Sequence, residues 1–318
     1  MSILKTLAAV LTIGGLVAVG WVIGRTPTPT PEGTEPIAQP DLSKQWVVTP
    51  ARAKFLVENG ATWLDARPSR LLRYRRLRGA VAIRWQDFSQ LRALDRGKLL
   101  DDDAQLQAKL RQLGIFNDRA VVVMGDPIDG WGEEGRIVWM LRVLGHDLAV
   151  MVDGGARALE ALDVTVPSPV SAVGDFEVRR TERWSIDRET LQARLRSIEP
   201  SIVVVDARER REYFGETPYG EVRGGHVPGA KHLHYRTLLN GQGSLRDRTE
   251  IRSILTEMGV TSETEVVAYC TGGVRSGWLT AVWVDLGYNV RNYAGSMWEW
   301  SALPNGEYPL VSDKVKQP

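Results

Sequence analysis

A single cysteine stands in the 318 residues, set among residue types that make sulfur reactive. The stretch is Val266-Val267-Ala268-Tyr269-Cys270-Thr271-Gly272-Gly273-Val274-Arg275-Ser276. Residues of strand-like composition lead into Cys270, and a helix-like run, Ser276 to Leu286, follows the loop. The pattern predicts a strand, a tight turn and a helix start. A side chain on such a turn sits near free backbone N–H groups and the positive end of a helix dipole. That field favours a thiolate and lowers a thiol pKa from about 8.5 toward neutrality or below. Gly272 and Gly273 let the backbone turn inward so that amides converge on an anion. Arg275 can set a fixed positive charge over the same bowl. A lone cysteine is most often a small buried hydrophobe. Two glycines and an arginine at a strand-to-helix junction argue for a nucleophile instead.

Such a loop needs a sheet to carry it, and the rest of the chain alternates strand-like and helix-like runs. Thr62 to Arg67, Gly79 to Ile83, Ala120 to Met124 and Leu148 to Val152 have strand composition, and Ala51 to Asn59, Ala104 to Leu113 and Arg136 to Leu144 have helix composition. This alternation predicts an α/β fold with a parallel sheet flanked by helices. The second half repeats the first. Leu64-Asp65-Ala66-Arg67 matches Val205-Asp206-Ala207-Arg208 at an offset of 141, and Val121 to Met124 matches Val266 to Tyr269 at 145. Gly145 matches Gly287 at 142. The extra residues of the second copy fall around Tyr213 to Gly225, and the join lies within Pro167 to Thr181. At the place of Cys270 the first copy has Gly125-Asp126-Pro127, which offers no nucleophile for the same chemistry.

Composition narrows the function. Net charge is +1, so nothing in bulk electrostatics favours nucleic acid. One cysteine excludes an intrachain disulfide, and with only His146, His226, His232 and His234 beside it a structural metal site is not expected. Thr6 to Gly24 is an uncharged run of 19 residues, long enough for a membrane-spanning helix. Arg25 to Pro40 carries five prolines and predicts an extended spacer. The expected organisation is therefore an anchor or signal segment over 1–25, a proline-rich linker over 26–46, and two globular domains over 47–170 and 171–318. The body is expected on the extracytoplasmic side, tethered to the membrane through that first segment.

The cysteine loop resembles the active-site loop of the rhodanese family of sulfurtransferases, in which four residues separate Cys from Arg or Thr. Here Thr271 to Val274 intervene before Arg275. Protein tyrosine phosphatases use a related loop with five intervening residues, sized for phosphate. The doubling, from about Val47 to Leu310, also resembles the tandem rhodanese family, whose first copy is inactive. The resemblance implies that Cys270 is catalytic and that Thr271, Gly272, Gly273, Val274, Arg275 and Ser276 bind the donor. In tandem members using thiosulfate or mercaptopyruvate, an arginine often stands six residues after the aspartate that corresponds to Asp206. Here that position is Glu212, with Arg211 adjacent; Arg208 and Arg211 are the candidate donor-binding arginines, and Asp206 and Arg208 at a strand end also fit a structural ion pair. Gly225-His226-Val227-Pro228-Gly229-Ala230 is similar to a family turn, and Gly295-Ser296-Met297-Trp298-Glu299-Trp300 to a family motif in which tryptophan stands at Met297. Asp206, His226 and Trp298 are expected to support the site. The implied activity moves sulfane sulfur from a small anionic donor, thiosulfate rather than mercaptopyruvate, through a persulfide to cyanide or a thiol, with no metal or organic cofactor. Two other classes stay open: a cysteine-loop phosphatase, and a non-catalytic membrane-tethered persulfide carrier or binding module.

Overall fold

A computed structural model of the chain describes residues 41–72, 77–92, 94–162, 164, 172–197 and 202–312, which fall in one compact unit. The anticipated anchor lies outside the described residues, as does the linker up to residue 40. Among the described residues no helix is long and apolar enough to cross a membrane.

Two parallel sheets carry the chain. The first contains β1 (Val47–Val48), β2 (Thr62–Asp65), β3 (Val81–Ala82), β4 (Val121–Met124) and β5 (Ala149–Val152), in the order β1-β5-β4-β2-β3. The second contains β6 (Ile202–Asp206), β7 (Lys231–His232), β8 (Glu265–Tyr269) and β9 (Asn289–Asn292), in the order β7-β6-β8-β9. A parallel bridge from Ser185 to Asn292 stands where β1 pairs with β5, so the two sheets share one topology. Registers repeat too: Leu64 pairs with Val123, and Val205 with Ala268.

Strand alternation explains where Cys270 points. Successive strand side chains face opposite sides of a sheet. In the first sheet Val122 and Met124 join a core with Ala53, Leu56 and Val57 of helix Pro50–Glu58. In the second sheet Val267 and Tyr269 pack with Tyr293, Met297 and Trp300. The other faces meet: Val121 and Val123 from one sheet and Val266, Ala268 and Cys270 from the other lie in a single apolar cluster spanning both copies. Full burial of each large aliphatic side chain stabilises by roughly 1.5–3 kcal/mol, so neither copy keeps its inner core without the other.

Two helices fill that shared core, Glu133–Val143 from the first copy and Val274–Asp285 from the second. Composition places their starts at Arg136 and Ser276; both begin earlier, capped by Gly132 and Gly273 in left-handed backbone at φ 82° and 77°. Consequently Arg275 and Ser276 lie in the first helical turn. The helices cross where glycines allow it. A Cβ on Gly135 would stand 2.4 Å from Trp278 Cα, and one on Gly277 would stand 3.2 Å from Arg136 Cα. Gly135→Ala is therefore expected to destabilise the protein by about 1–3 kcal/mol through overpacking. Gly241, with open space around it, is the control, and thermal unfolding of the two alanine variants side by side checks the difference.

Candidate active site

Cys270 leaves β8 with 1% of its surface exposed. The helix Ser296–Trp300 clamps the chain at this point. Ser296 Oγ accepts the Cys270 N–H at 3.1 Å and donates to the Tyr293 carbonyl at 2.7 Å. The carbonyls of Cys270 and Thr271 accept the N–H groups of Met297 and Trp298 at 3.1 and 2.9 Å. Ser296 holds φ 51°, a left-handed conformation costly for a residue with a Cβ, and these bonds keep it there. Trp298 lies flat against the turn: a Cβ on Gly272 would sit 2.0 Å from its ring. Only glycine fits.

The sulfur is surrounded by groups that favour a negative charge. Burial pushes the thiol up, but the Arg275 charge, the Ser276 hydroxyl and the amides of Ser276 and Gly272 together hold it below its ordinary value. Ser276 Oγ stands 3.5 Å from Cys270 Sγ and 2.7 Å from Asn292 Oδ1, so its single proton serves either partner. Asn292 Nδ2 in turn donates to the Gly273 carbonyl at 3.2 Å, fixing the turn. No histidine acts as a base for this thiol. His234, pushed down to about 4 by burial and then by the Arg275 and Arg236 charges, is neutral near pH 7.

Arg275 does not stand free over the bowl. Its guanidinium forks onto Glu212, with Nη1 2.6 Å from Oε2 and Nη2 2.8 Å from Oε1, and Nη2 also donates to Thr271 Oγ1 at 2.7 Å. Glu212 further accepts the Thr271 hydroxyl at 2.9 Å and the Glu209 N–H at 3.1 Å. Burial raises the Glu212 pKa, yet the Arg275 hydrogen bonds and charge bring it below the usual carboxylate value, so it is ionised. Thr271 Oγ1 also reaches Glu221 Oε1 at 3.2 Å, which turns this side chain toward the wall.

The structure does not bring the two other arginines into the bowl. Arg208 is fully buried, paired with Asp206 at 2.6 Å and bonded to the Gly225 carbonyl at 2.7 Å. Asp206 also accepts the Tyr269 hydroxyl at 2.8 Å, so this cluster ties β6, β8 and the following turn together. Arg211 is exposed, pairs with Glu209 at 2.7 Å and reaches Tyr219 Oη at 3.3 Å. His226 stacks on Tyr213 at 3.6 Å and bonds its carbonyl at 2.9 Å, away from any substrate role. Met297 lies in the core with Tyr269 and not on a rim.

Several residues of the site carry no signal in the sequence. Glu212 is visible there only as a departure from the family pattern; its partner is set by folding. The extra segment Tyr213 to Gly225 supplies Tyr219 and Glu221, which build the bowl's wall: the Tyr219 carbonyl accepts Trp298 Nε1 at 2.9 Å. Outside that wall opens a cavity of about 590 Å³ between the copies, lined by Trp85, Ser89, Arg96, Trp131, Tyr219 and Trp298. Cys270 itself does not line it, whereas Trp298, which packs on Gly272 of the turn, does. The first copy's own loop is the chemical opposite. Asp126, Glu133 and Glu134 gather there, and burial followed by the Glu133 charge pushes Glu134 up to about 8. An acidic, mostly buried loop cannot hold a second thiolate or an anionic donor.

Known proteins are similar to this chain in sequence and in fold. The Rhodanese-like domain profile matches residues 187–303. A thiosulfate sulfurtransferase of Pseudomonas aeruginosa is 36% identical over 212 residues, 65% of this chain and 76% of that protein. Sulfur carrier protein TtuD of Thermus thermophilus is 30% identical over 240 residues, 71% and 82% of the two chains. The solved 3-mercaptopyruvate sulfurtransferase from Leishmania major shares the fold, with a TM-score of 0.67 at 22% identity over 83% of this chain and 76% of that one. An amide-lined cysteine bowl on the second of two repeated parallel sheets, together with these relatives, means that the chain belongs to the tandem-domain rhodanese family of sulfurtransferases.

Proposed function

We propose that the protein is a thiosulfate sulfurtransferase working through a Cys270 persulfide. The observation that carries this reading is the buried Cys270 thiol held below its ordinary pKa by Arg275, Ser276 and the loop amides. The thiolate attacks the outer sulfur of thiosulfate. A new S–S bond forms on Cys270 as the donor's S–S bond breaks, and its electron pair leaves with sulfite. Cyanide or a thiolate then attacks the outer sulfur of the persulfide, and the Cys270 thiolate is regenerated. Amides at the start of helix Val274–Asp285 stabilise the negative charge carried by each species, as an oxyanion hole does elsewhere. Thiosulfate is favoured as donor by the name of the Pseudomonas aeruginosa relative and by Arg275 at the end of the loop. A turn with four residues between Cys270 and Arg275 leaves room for one added sulfur and disfavours phosphate.

The membrane tether is part of the same proposal. It rests on the uncharged run Thr6 to Gly24 and the proline-rich spacer behind it, and it places the catalytic body outside the cytoplasm. Full-length protein is expected in the carbonate-resistant membrane fraction; recovery in the soluble fraction with its N-terminus intact would remove the anchor from the reading.

The transfer chemistry is tested on the thiosulfate-treated protein by mass spectrometry. One added sulfur on the Cys270 peptide is expected, and Cys270→Ser is expected to lose thiosulfate:cyanide transfer while still melting cooperatively. Transfer that survives this substitution sinks the persulfide mechanism. The ion pair yields a second expectation. Glu212 sets a negative charge beside the donor's path, and Glu212→Gln removes that charge while keeping an acceptor for Arg275. The KM for thiosulfate is expected to fall roughly three- to tenfold, equivalent to about 0.7–1.4 kcal/mol, with kcat nearly kept. A KM that rises would show that Glu212 serves chiefly to hold Arg275 in place.

A further inference from the structure

The geometry points to Arg136, a residue of the copy that has no cysteine, as a positioning residue for the catalytic turn and a second cation for the Cys270 sulfur. This inference rests on Cys270 being the nucleophile proposed above, and the contacts of Arg136 within the first copy, all to neutral groups, leave its charge without an acid.

Arg136 sits on helix Glu133–Val143 with 1% of its surface exposed. Its Nη1 donates to the Gly273 carbonyl at 3.2 Å, and its Nη2 to the Gly97 carbonyl at 2.5 Å and to Ser89 Oγ at 3.3 Å. All three acceptors are neutral, and among the described residues no carboxylate forms an ion pair with it. The guanidinium also lies 4.5 Å from the Trp139 ring centre and 6.0 Å from that of Trp85. A buried cation without an acid costs several kcal/mol unless some negative charge repays it. Burial brings the Arg136 pKa down to about 9, and the charge that opposes this fall is that of Cys270.

Gly273 shows how the guanidinium acts on the turn. Its carbonyl is held from one side by Asn292 Nδ2 and from the other by Arg136. A Cβ at Gly273 would lie 2.6 Å from Arg136 Nη1, so the two groups are in close contact. The same carbonyl also accepts the Gly277 N–H of the first helical turn at 3.2 Å, so these three donors together fix the cap at which Gly273 holds φ 77° and the helix begins. Arg275, paired with Glu212, is the charge on the second copy's own helix; Arg136 is the charge that the first copy brings to the Gly273 carbonyl of the same turn.

The repeat gives independent support. Gly135-Arg136 and Gly277-Trp278 correspond at the offset of 142 that relates Gly145 to Gly287. Each helix therefore sends the residue after its glycine into the other copy's loop. Arg136 reaches Gly273 in the thiol loop, whereas Trp278 packs on Gly132 in the acidic loop beside Glu134. A cation meets the turn that carries the sulfur, and a neutral ring meets the turn that carries the carboxyl.

The test uses the full chain and its one cysteine. The rate of Cys270 alkylation by iodoacetamide is followed against pH in wild type, Arg136→Met, Arg136→Gln and Arg136→Lys, with Cys270→Ser as the blank and near-UV circular dichroism as the check on folding. Loss of the charge is expected to raise the alkylation midpoint by about one pH unit, a tenfold drop in thiolate below the midpoint. Arg136→Lys is expected to keep most of the wild-type midpoint yet lose about tenfold in kcat/KM, because an ammonium cannot span both carbonyls. An unmoved midpoint in a folded Arg136→Met or Arg136→Gln protein overturns the inference. So does a folded Arg136→Lys protein whose midpoint rises by about one pH unit, an outcome read against wild type alone, which covers the case in which the uncharged variants fail to fold. These outcomes are separate from failure of the persulfide reading, which shows as transfer surviving in Cys270→Ser.

Discussion

Burying a sulfur whose neighbours favour its ionised form is the constraint that organises this molecule. A thiolate buried in an apolar core is unstable unless nearby dipoles and cations replace the water it has lost. Here the core itself demands burial, since strand alternation aims Cys270 into the cluster shared by both copies. Compensation comes from three directions: amides of the turn, the Ser276 hydroxyl and the Arg275 charge. Each is fixed before any substrate arrives, because Ser296, Asn292 and Trp298 hold the backbone that carries them.

Repetition of one fold supplies two bowls, and their contents decide which one works. Both turns end in a glycine of left-handed backbone that opens a buried helix. In the second copy the bowl holds sulfur and faces guanidinium groups. In the first, three acids gather and one is pushed toward neutrality by burial. The first copy still matters physically. Its helix lies against the catalytic one through Gly135 and Gly277, its side chains line the cavity outside the bowl, and its inner sheet face completes the common core.

Most arginines near the site are spent on structure. Arg208 pairs with Asp206 and braces β6 against the turn after it, a buried and fully desolvated pair that contributes order more than net stability. Arg275 is shared with Glu212, so its field reaches the sulfur while its donors are engaged. Charge near a reactive group and donors free for a ligand are different resources, and this site separates them.

How much of this was legible in the sequence follows from which interactions are local. The turn around Cys270, the alternation of strands and helices, and the near-constant offset between copies are encoded in residue types a few positions apart or in a repeated pattern, so order along the chain suffices to find them. Helix starts were placed two or three residues late, because a glycine cap is recognised by its backbone angle and not by a side chain. Arg208 pairs with Asp206 and Arg211 with Glu209, each two residues away, so spacing suffices for those pairs, whereas the partner of Arg275 could not be assigned from spacing. Glu212 lies 63 residues from Arg275 and Arg136 lies 137 from Gly273; the pairing of β6 with β8 brings the first two together, and the packing of the two copies on one core brings the second two together. The chain's own order thus determined the cysteine turn and the architecture; the tertiary structure alone decided how deeply that sulfur is buried and which distant groups surround it, because those depend on distances in space that no local pattern records.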